Sequence, residues 1–234
     1  MIPLILSLLI IFIVPMILII VLNRKKKVKF KNFIVGIFAF LISQTFTRLP
    51  ILNFLQTKTT IFKLGLFSNL IPYLVFFSFT AGIFEETARF IAYKTILKKE
   101  ENIYSPISFG LGHGGIEAML YTLLPILTYM YNFSSLNTPL VYLGIFERIS
   151  AIIFHISATI LIFYGIRKNK KIWWLISIVI HGMYNLIFTY LANVLNKIVL
   201  SEIVIFILSI ILLLFGIYLL GKLEKEEDCE KYES

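Results

Sequence analysis

Charge is scarce in this sequence. Only 15% of its 234 residues are Asp, Glu, Lys or Arg, where a soluble domain carries about 25%. Hydrophobic residues make up 59% of the chain, and the mean hydropathy is +0.89. A chain this short needs a large polar surface to be soluble. Soluble enzymes, nucleic-acid-binding domains and disordered proteins are therefore excluded. Cysteine is also nearly absent. The one residue, Cys229, rules out a disulfide framework and a cysteine-based zinc site. No G-x-S-x-G nucleophile motif and no H-E-x-x-H zinc motif occurs. Nor is there an internal repeat, or a pair of interrupted apolar segments of the kind that marks many transporters.

What is there is a series of long apolar runs. A helix needs about 20 such residues to cross a bilayer. The sequence predicts seven spans: Ile2–Leu22, Phe33–Leu55, Asn69–Leu97, Pro106–Tyr131, Leu140–Ile166, Ile172–Ala192 and Ile203–Leu220. The expected fold is all-α, a polytopic transmembrane bundle of about seven helices. Residues 1–222 form one transmembrane domain with its site helices in 69–192. Residues 223–234 are expected to be an acidic, cytoplasmic tail without fixed structure.

The net charge of +9 does not point to nucleic acid, because the basic residues cluster between spans, as in Arg24-Lys25-Lys26-Lys27. Of the 22 Lys and Arg, Arg48, Arg89 and Arg148 lie inside spans. Only Lys58, Lys63 and Lys197 fall in loops on one side, and the remainder fall on the other. Basic loops stay inside. The chain is thus expected to be a multi-pass cell-membrane protein with its N-terminus outside and its C-terminus in the cytoplasm. Anionic lipids of the inner leaflet are expected partners.

Ionisable residues at membrane depth are expensive, by roughly 2.5–3.5 kcal/mol each on insertion scales, and are usually functional. Glu85, Glu86 and Arg89 lie in the third span. His113 and Glu117 lie in the fourth, Glu147, Arg148 and His155 in the fifth, and His181 with Asn185 in the sixth. All three histidines lie inside spans. Counted at about 1.5 Å per residue from the inner basic ends, the glutamate pair and the histidines fall about 10–18 Å deep. Four helices place carboxylates and imidazoles in one slab. Glu85 and Arg89 are i, i+4 and share a helix face. Glu86 is offset by about 100° but remains i, i+3 from Arg89. Phe109 and His113, His113 and Glu117, and His181 and Asn185 repeat the i, i+4 spacing. Glycines around His113 allow neighbouring helices to come close. Glu147 and Arg148 lie further out and read as a structural pair, with Arg48 as a candidate partner.

Such a set can activate water. A buried glutamate tuned by arginine suits a general base, and histidine with asparagine can stabilise an oxyanion. The same histidines and carboxylates could instead bind zinc. Two other classes fit the residues: a proton- or metal-ion-translocating protein, and a non-catalytic immunity or binding protein on the same scaffold.

The segments Glu85-Glu86-Thr-Ala-Arg89, Phe109-x-x-x-His113 and His181-x-x-x-Asn185 resemble, in order, the three motifs of the CAAX protease and bacteriocin-processing superfamily of intramembrane proteases. Gly112-His113-Gly114-Gly115-Ile116-Glu117-Ala118 and Glu147-Arg148 look like its YhfC branch. The first motif is one residue shorter than the superfamily's usual spacing, which leaves open which glutamate faces Arg89. The resemblance implies an endopeptidase cutting a hydrophobic or membrane-anchored peptide near the cytoplasmic side. It implies catalytic roles for Glu85, Glu86, His113, His181 and Asn185. Arg89, Phe109, Glu117, Arg148 and His155 would support them. His113, His155 and His181 are the candidate zinc ligands, beside a metal-free alternative in which glutamate alone activates water.

Overall fold

The structure, a computed structural model, describes residues 2–60, 62, 70–131 and 138–233. Among them there are only helices and the turns that join them. Seven continuous helices follow one another: α1 (2–26), α2 (Phe30–Lys58), α3 (Leu70–Lys94), α4 (105–131), α5 (Thr138–Arg167), α6 (Ile172–Val194) and α7 (Ile198–Glu233). Five of these, α1, α2, α5, α6 and α7, are long and apolar enough to cross a membrane. The two that fall short, α3 and α4, carry Glu85, Glu86 and Arg89, and the Gly-His-Gly-Gly-Ile-Glu run. Residues that depress hydropathy there are those the sequence marks as functional.

Proline shapes three of the helices. Wider π-helical stretches occupy Leu8–Ile13, Leu41–Arg48 and Met119–Leu123, and Pro15, Pro50 and Pro125 each follow two residues later. A proline inside a helix removes one i→i−4 hydrogen bond, and its ring collides with the carbonyl four residues back. Opening the preceding turn relieves that collision. The helices end in left-handed residues at Lys27 (φ 55°), Asn169 (φ 53°) and Asn196 (φ 54°). Asparagine tolerates this conformation because its short side chain bonds locally.

The central element is α5. Ile160, Leu161, Ile162 and Phe163 are all at most 1% exposed. Around it, α4 packs against α2 and α5, α3 against α6, and α7 against α5. Glycines set the closest crossings. A methyl group on Gly112 would lie 2.1 Å from the Phe33 carbonyl oxygen of α2, and one on Gly110 2.4 Å from the Ile156 Cα of α5. Gly82 approaches α6 in the same way, 2.7 Å from the Ile178 carbonyl oxygen. By contrast α1 and α7 turn large apolar side chains outward, among them Ile17 and Leu214. That is the pattern of helices facing lipid tails.

The last helix departs from the expected tail. It runs without interruption to Glu233, through Leu-Glu-Lys-Glu-Glu-Asp-Cys-Glu-Lys. Most of these residues are good helix formers, and the helix is already nucleated within the membrane. Lys168 from the turn after α5 pairs with Glu226, and the Tyr104 hydroxyl donates to Glu224 at 3.2 Å.

Candidate metal centre

The side chains singled out in the sequence meet between α3, α4, α5 and α6. Two carboxylates from α3 organise them. Glu86 is fully buried. Its Oε1 accepts from Arg89 Nη1 and contacts His181 Nδ1 at 2.7 Å. Its Oε2 accepts from Ser177 Oγ at 2.7 Å. Ser177 and His181 are i, i+4 on α6, so one helix face supplies both contacts.

Glu85 points the other way, toward α2 and α4. Its Oε1 accepts from Gln44 Nε2, and its Oε2 lies 2.9 Å from His113 Nε2. The Arg89 Nη2 to Glu85 Oε2 separation is 3.7 Å. Arg89 is thus within ion-pair reach of Glu85, as the i, i+4 spacing suggests, but its direct bond goes to Glu86, three residues away, while Gln44 and His113 bond Glu85.

His155 and Glu117 complete the group. Arg89 Nη2 lies 2.5 Å from His155 Nδ1. His155 Nε2 lies 2.5 Å from Glu117 Oε2. Glu117 Oε1 accepts from Arg148 Nη1 at 2.9 Å, and Arg148 also grips Glu147 through Nε at 2.8 Å and through Nη2. The outer pair thus reaches inward. Arg148 bonds to Glu117 rather than to Arg48. Arg48 instead donates to Gln44 Oε1 at 2.9 Å and to the Phe77 carbonyl at 2.6 Å.

One ligand atom from each of Glu85, His113, Glu117 and His155 lies within 4.8 Å of the other three. Carboxylate oxygens and imidazole nitrogens are the donors zinc accepts. His113 Nε2 faces Glu85 within the group, and its other ring nitrogen, Nδ1, is buried without a hydrogen-bond partner. Two carboxylates and two imidazoles buried this close together cost less when a cation shares their negative charge and lone pairs. The residues therefore fit a metal. His155 carries a condition. An arginine only donates, so Arg89 holds the lone pair on Nδ1, and a neutral ring then keeps its proton on Nε2. Arg89 must let go before His155 can ligate through Nε2 with its proton on Nδ1.

His181 stands outside the ligand group. Its Nδ1 is engaged by Glu86, and its Nε2 lies 3.8 Å from Glu85 Oε1. Asn185, half-buried one turn further along α6, has no side-chain partner among the described residues. Phe109 is fully buried, with its ring 6.4 Å from that of His113. Phe40 meets the same imidazole edge-on at 5.2 Å.

Sequence reading missed Gln44 and Ser177. The signal for Ser177 was present, since it stands four residues before His181. For Gln44 the signal was its i, i+4 spacing from Arg48 on α2, whereas its bond to Glu85 comes from another helix.

The model of a protein family described as YhfC intramembrane metalloprotease matches residues 10–138 and 130–206. The chain belongs to this family. A curated relative, "Uncharacterized membrane protein YhfC" of Bacillus subtilis (strain 168), is 26% identical over 202 residues, covering 74% of this chain and 78% of its own. No solved structure matches. The YhfC matches span α1 to the start of α7, and so every residue of the centre.

Proposed function

We propose that the chain is an active intramembrane metallopeptidase, hydrolysing a hydrophobic or membrane-anchored peptide from the cytoplasmic side. The observation that carries this reading is the convergence of Glu85, His113, Glu117 and His155, from three helices, within 4.8 Å. These four residues would hold the metal. A bound zinc ion polarises a carbonyl and brings the pKa of its water near 7.

The chain's own groups supply the rest. Glu86 orients His181 through Nδ1. When Nδ1 carries the proton, Nε2 is left with its lone pair toward Glu85 and can take a proton from water and return it to a leaving amine. Arg89 donates to the same Glu86 oxygen that faces His181 Nδ1, which fixes the carboxylate against the imidazole. Asn185 shares the His181 face of α6 and is placed to meet developing negative charge on the peptide oxygen. The substrate would lie along an apolar groove of about 610 Å³ between α2 and α3, whose wall includes Ser43, Phe84 and Ala88. Phe84 precedes Glu85 in the chain, and Ala88 follows it by three residues. The basic ends between helices would hold this side at an anionic inner leaflet.

The test is cleavage of a library of single-span peptides by the full chain in liposomes, read by mass spectrometry. Cleavage is expected to vanish with a zinc chelator, to return with zinc, and to be lost in Glu85→Gln and in His113→Ala. Equal cleavage with the chelator and in both variants would contradict the reading. Zinc uptake into the vesicles without cleavage would favour translocation instead. Cysteine labelling in the Lys25–Lys31 segment tests the orientation, with reaction expected only from the cytoplasmic side.

A further inference from the structure

We propose that Gln44, held by Arg48, positions Glu85 as a metal ligand. The inference rests on the metal centre proposed above and extends it to a helix that carries none of its ligands. Gln44 and Arg48 are buried on the π-helical stretch Leu41–Arg48 of α2, which Pro50 opens from below. Polar residues buried in a membrane-spanning helix need an interior partner, and here each has one.

The orientation of the Gln44 amide follows from its neighbours. Arg48 Nη1 lies 2.9 Å from Gln44 Oε1. A guanidinium has no acceptor, so the oxygen end of the amide must face it. The NH₂ end then faces Glu85, and it donates to Glu85 Oε1. Arg48 is itself fixed. Its Nη2 donates to the Phe77 carbonyl at 2.6 Å, its Nε to Thr80 Oγ1 at 3.1 Å, and its guanidinium lies 4.4 Å from the Phe77 ring centre. Phe77 and Thr80 belong to α3, the helix that carries Glu85. The clamp thus starts and ends on α3 and passes through α2.

One oxygen of Glu85 is thereby tied down, and the other is turned to the imidazoles, 2.9 Å from His113 Nε2 and 3.9 Å from His155 Nδ1. Without the clamp the carboxylate can rotate about its last torsion, which is a soft two-fold one. Outer partners that hold a ligating group in place are typically worth 10–100-fold in metal affinity. Gln44 and Arg48 touch neither the other three ligands nor His181, so they are positioning residues.

The experiment titrates cobalt(II), as a visible-light reporter of the zinc site, into the purified full chain in detergent micelles. Wild type is compared with Gln44→Met, Arg48→Lys and Glu85→Gln. Gln44→Met keeps the length of the side chain and removes the donor. Arg48→Lys keeps the charge and releases the amide to flip. Both are expected to bind cobalt about 10–100-fold more weakly, with an altered absorption band, while Glu85→Gln loses more than either. If Gln44→Met does not fold, Arg48→Lys carries the test. Wild-type affinity and spectrum in the folded clamp variants, together with loss in Glu85→Gln, would overturn the role of Gln44 and leave the metal centre standing. Wild-type binding in Glu85→Gln, or none in the wild type, would overturn the metal centre, and the clamp with it.

Discussion

Glu85 and Glu86 are adjacent in the chain and opposite in circumstance. Both oxygens of Glu86 are taken, by Arg89, His181 and Ser177. The group around Glu85 has an atom to spare, His113 Nδ1. The orphan on the Glu86 side is Arg89 Nε, a donor that no cation can use. The one network is closed and the other is open. Burying charge is tolerable when it is paired, so a closed network can serve as scaffold. An open one stores unmet valence and is where chemistry belongs.

Breaking the closed network is expected to have the largest effect. Arg89→Leu leaves Glu86 buried without its cation, a change that typically costs about 3–5 kcal/mol. Thermal unfolding in detergent should show a large drop, and an unchanged midpoint would refute the scaffold role. Glu86→Gln should share part of that loss. Glu85→Gln should leave the midpoint nearly in place while removing activity by about 10²–10⁴-fold. The i, i+4 spacing keeps Glu85 within 3.7 Å of Arg89, but Gln44 and His113 also hold Glu85, so that carboxylate depends less on the arginine than Glu86 does.

The glycines allow a finer comparison within one helix. Gly112→Ala would drive a methyl group into the Phe33 carbonyl at 2.1 Å, whereas Gly115 has nothing within 4 Å. Overpacking at the first should cost about 1–3 kcal/mol. Gly115→Ala should gain about 0.5–1 kcal/mol from helix propensity. Equal midpoints for the two variants would break the account of why α2 and α4 lie so close.

The smallest effect is expected at the inner surface. Lys168 and Glu226 form a partly exposed pair between the α5–α6 turn and the end of α7. Lys168→Ala should shift stability by about 0.2–1 kcal/mol, less in high salt. A larger loss would mean that the end of α7 holds the bundle together.

Seven helices and their order were legible, because runs of about 20 apolar residues survive any reading of detail. So were Glu85, Glu86, Arg89, His113, His155 and His181, since ionisable residues stand out against an apolar background. Glu117 entered as a helper through its spacing from His113 and stands as a candidate ligand in the structure. Less could be read about who binds whom. Arg148 reaches Glu117 across 31 residues and Gln44 reaches Glu85 across 41, and no local spacing encodes either contact. The widened turn before Pro50, which shapes the helix carrying Gln44, was likewise invisible in a pattern that assumes regular helix geometry.

The central claim is that Glu85, His113, Glu117 and His155 form a metal site. X-ray absorption at the zinc edge, on the full chain purified in detergent and loaded with zinc, tests it most directly. The account predicts one tightly held zinc per chain, with nitrogen and oxygen neighbours at about 2.0–2.2 Å and the outer-shell scattering of two imidazoles. That scattering should fall by half in His113→Ala. A chain that retains no zinc, or one whose zinc spectrum is unchanged by His113→Ala, would contradict it.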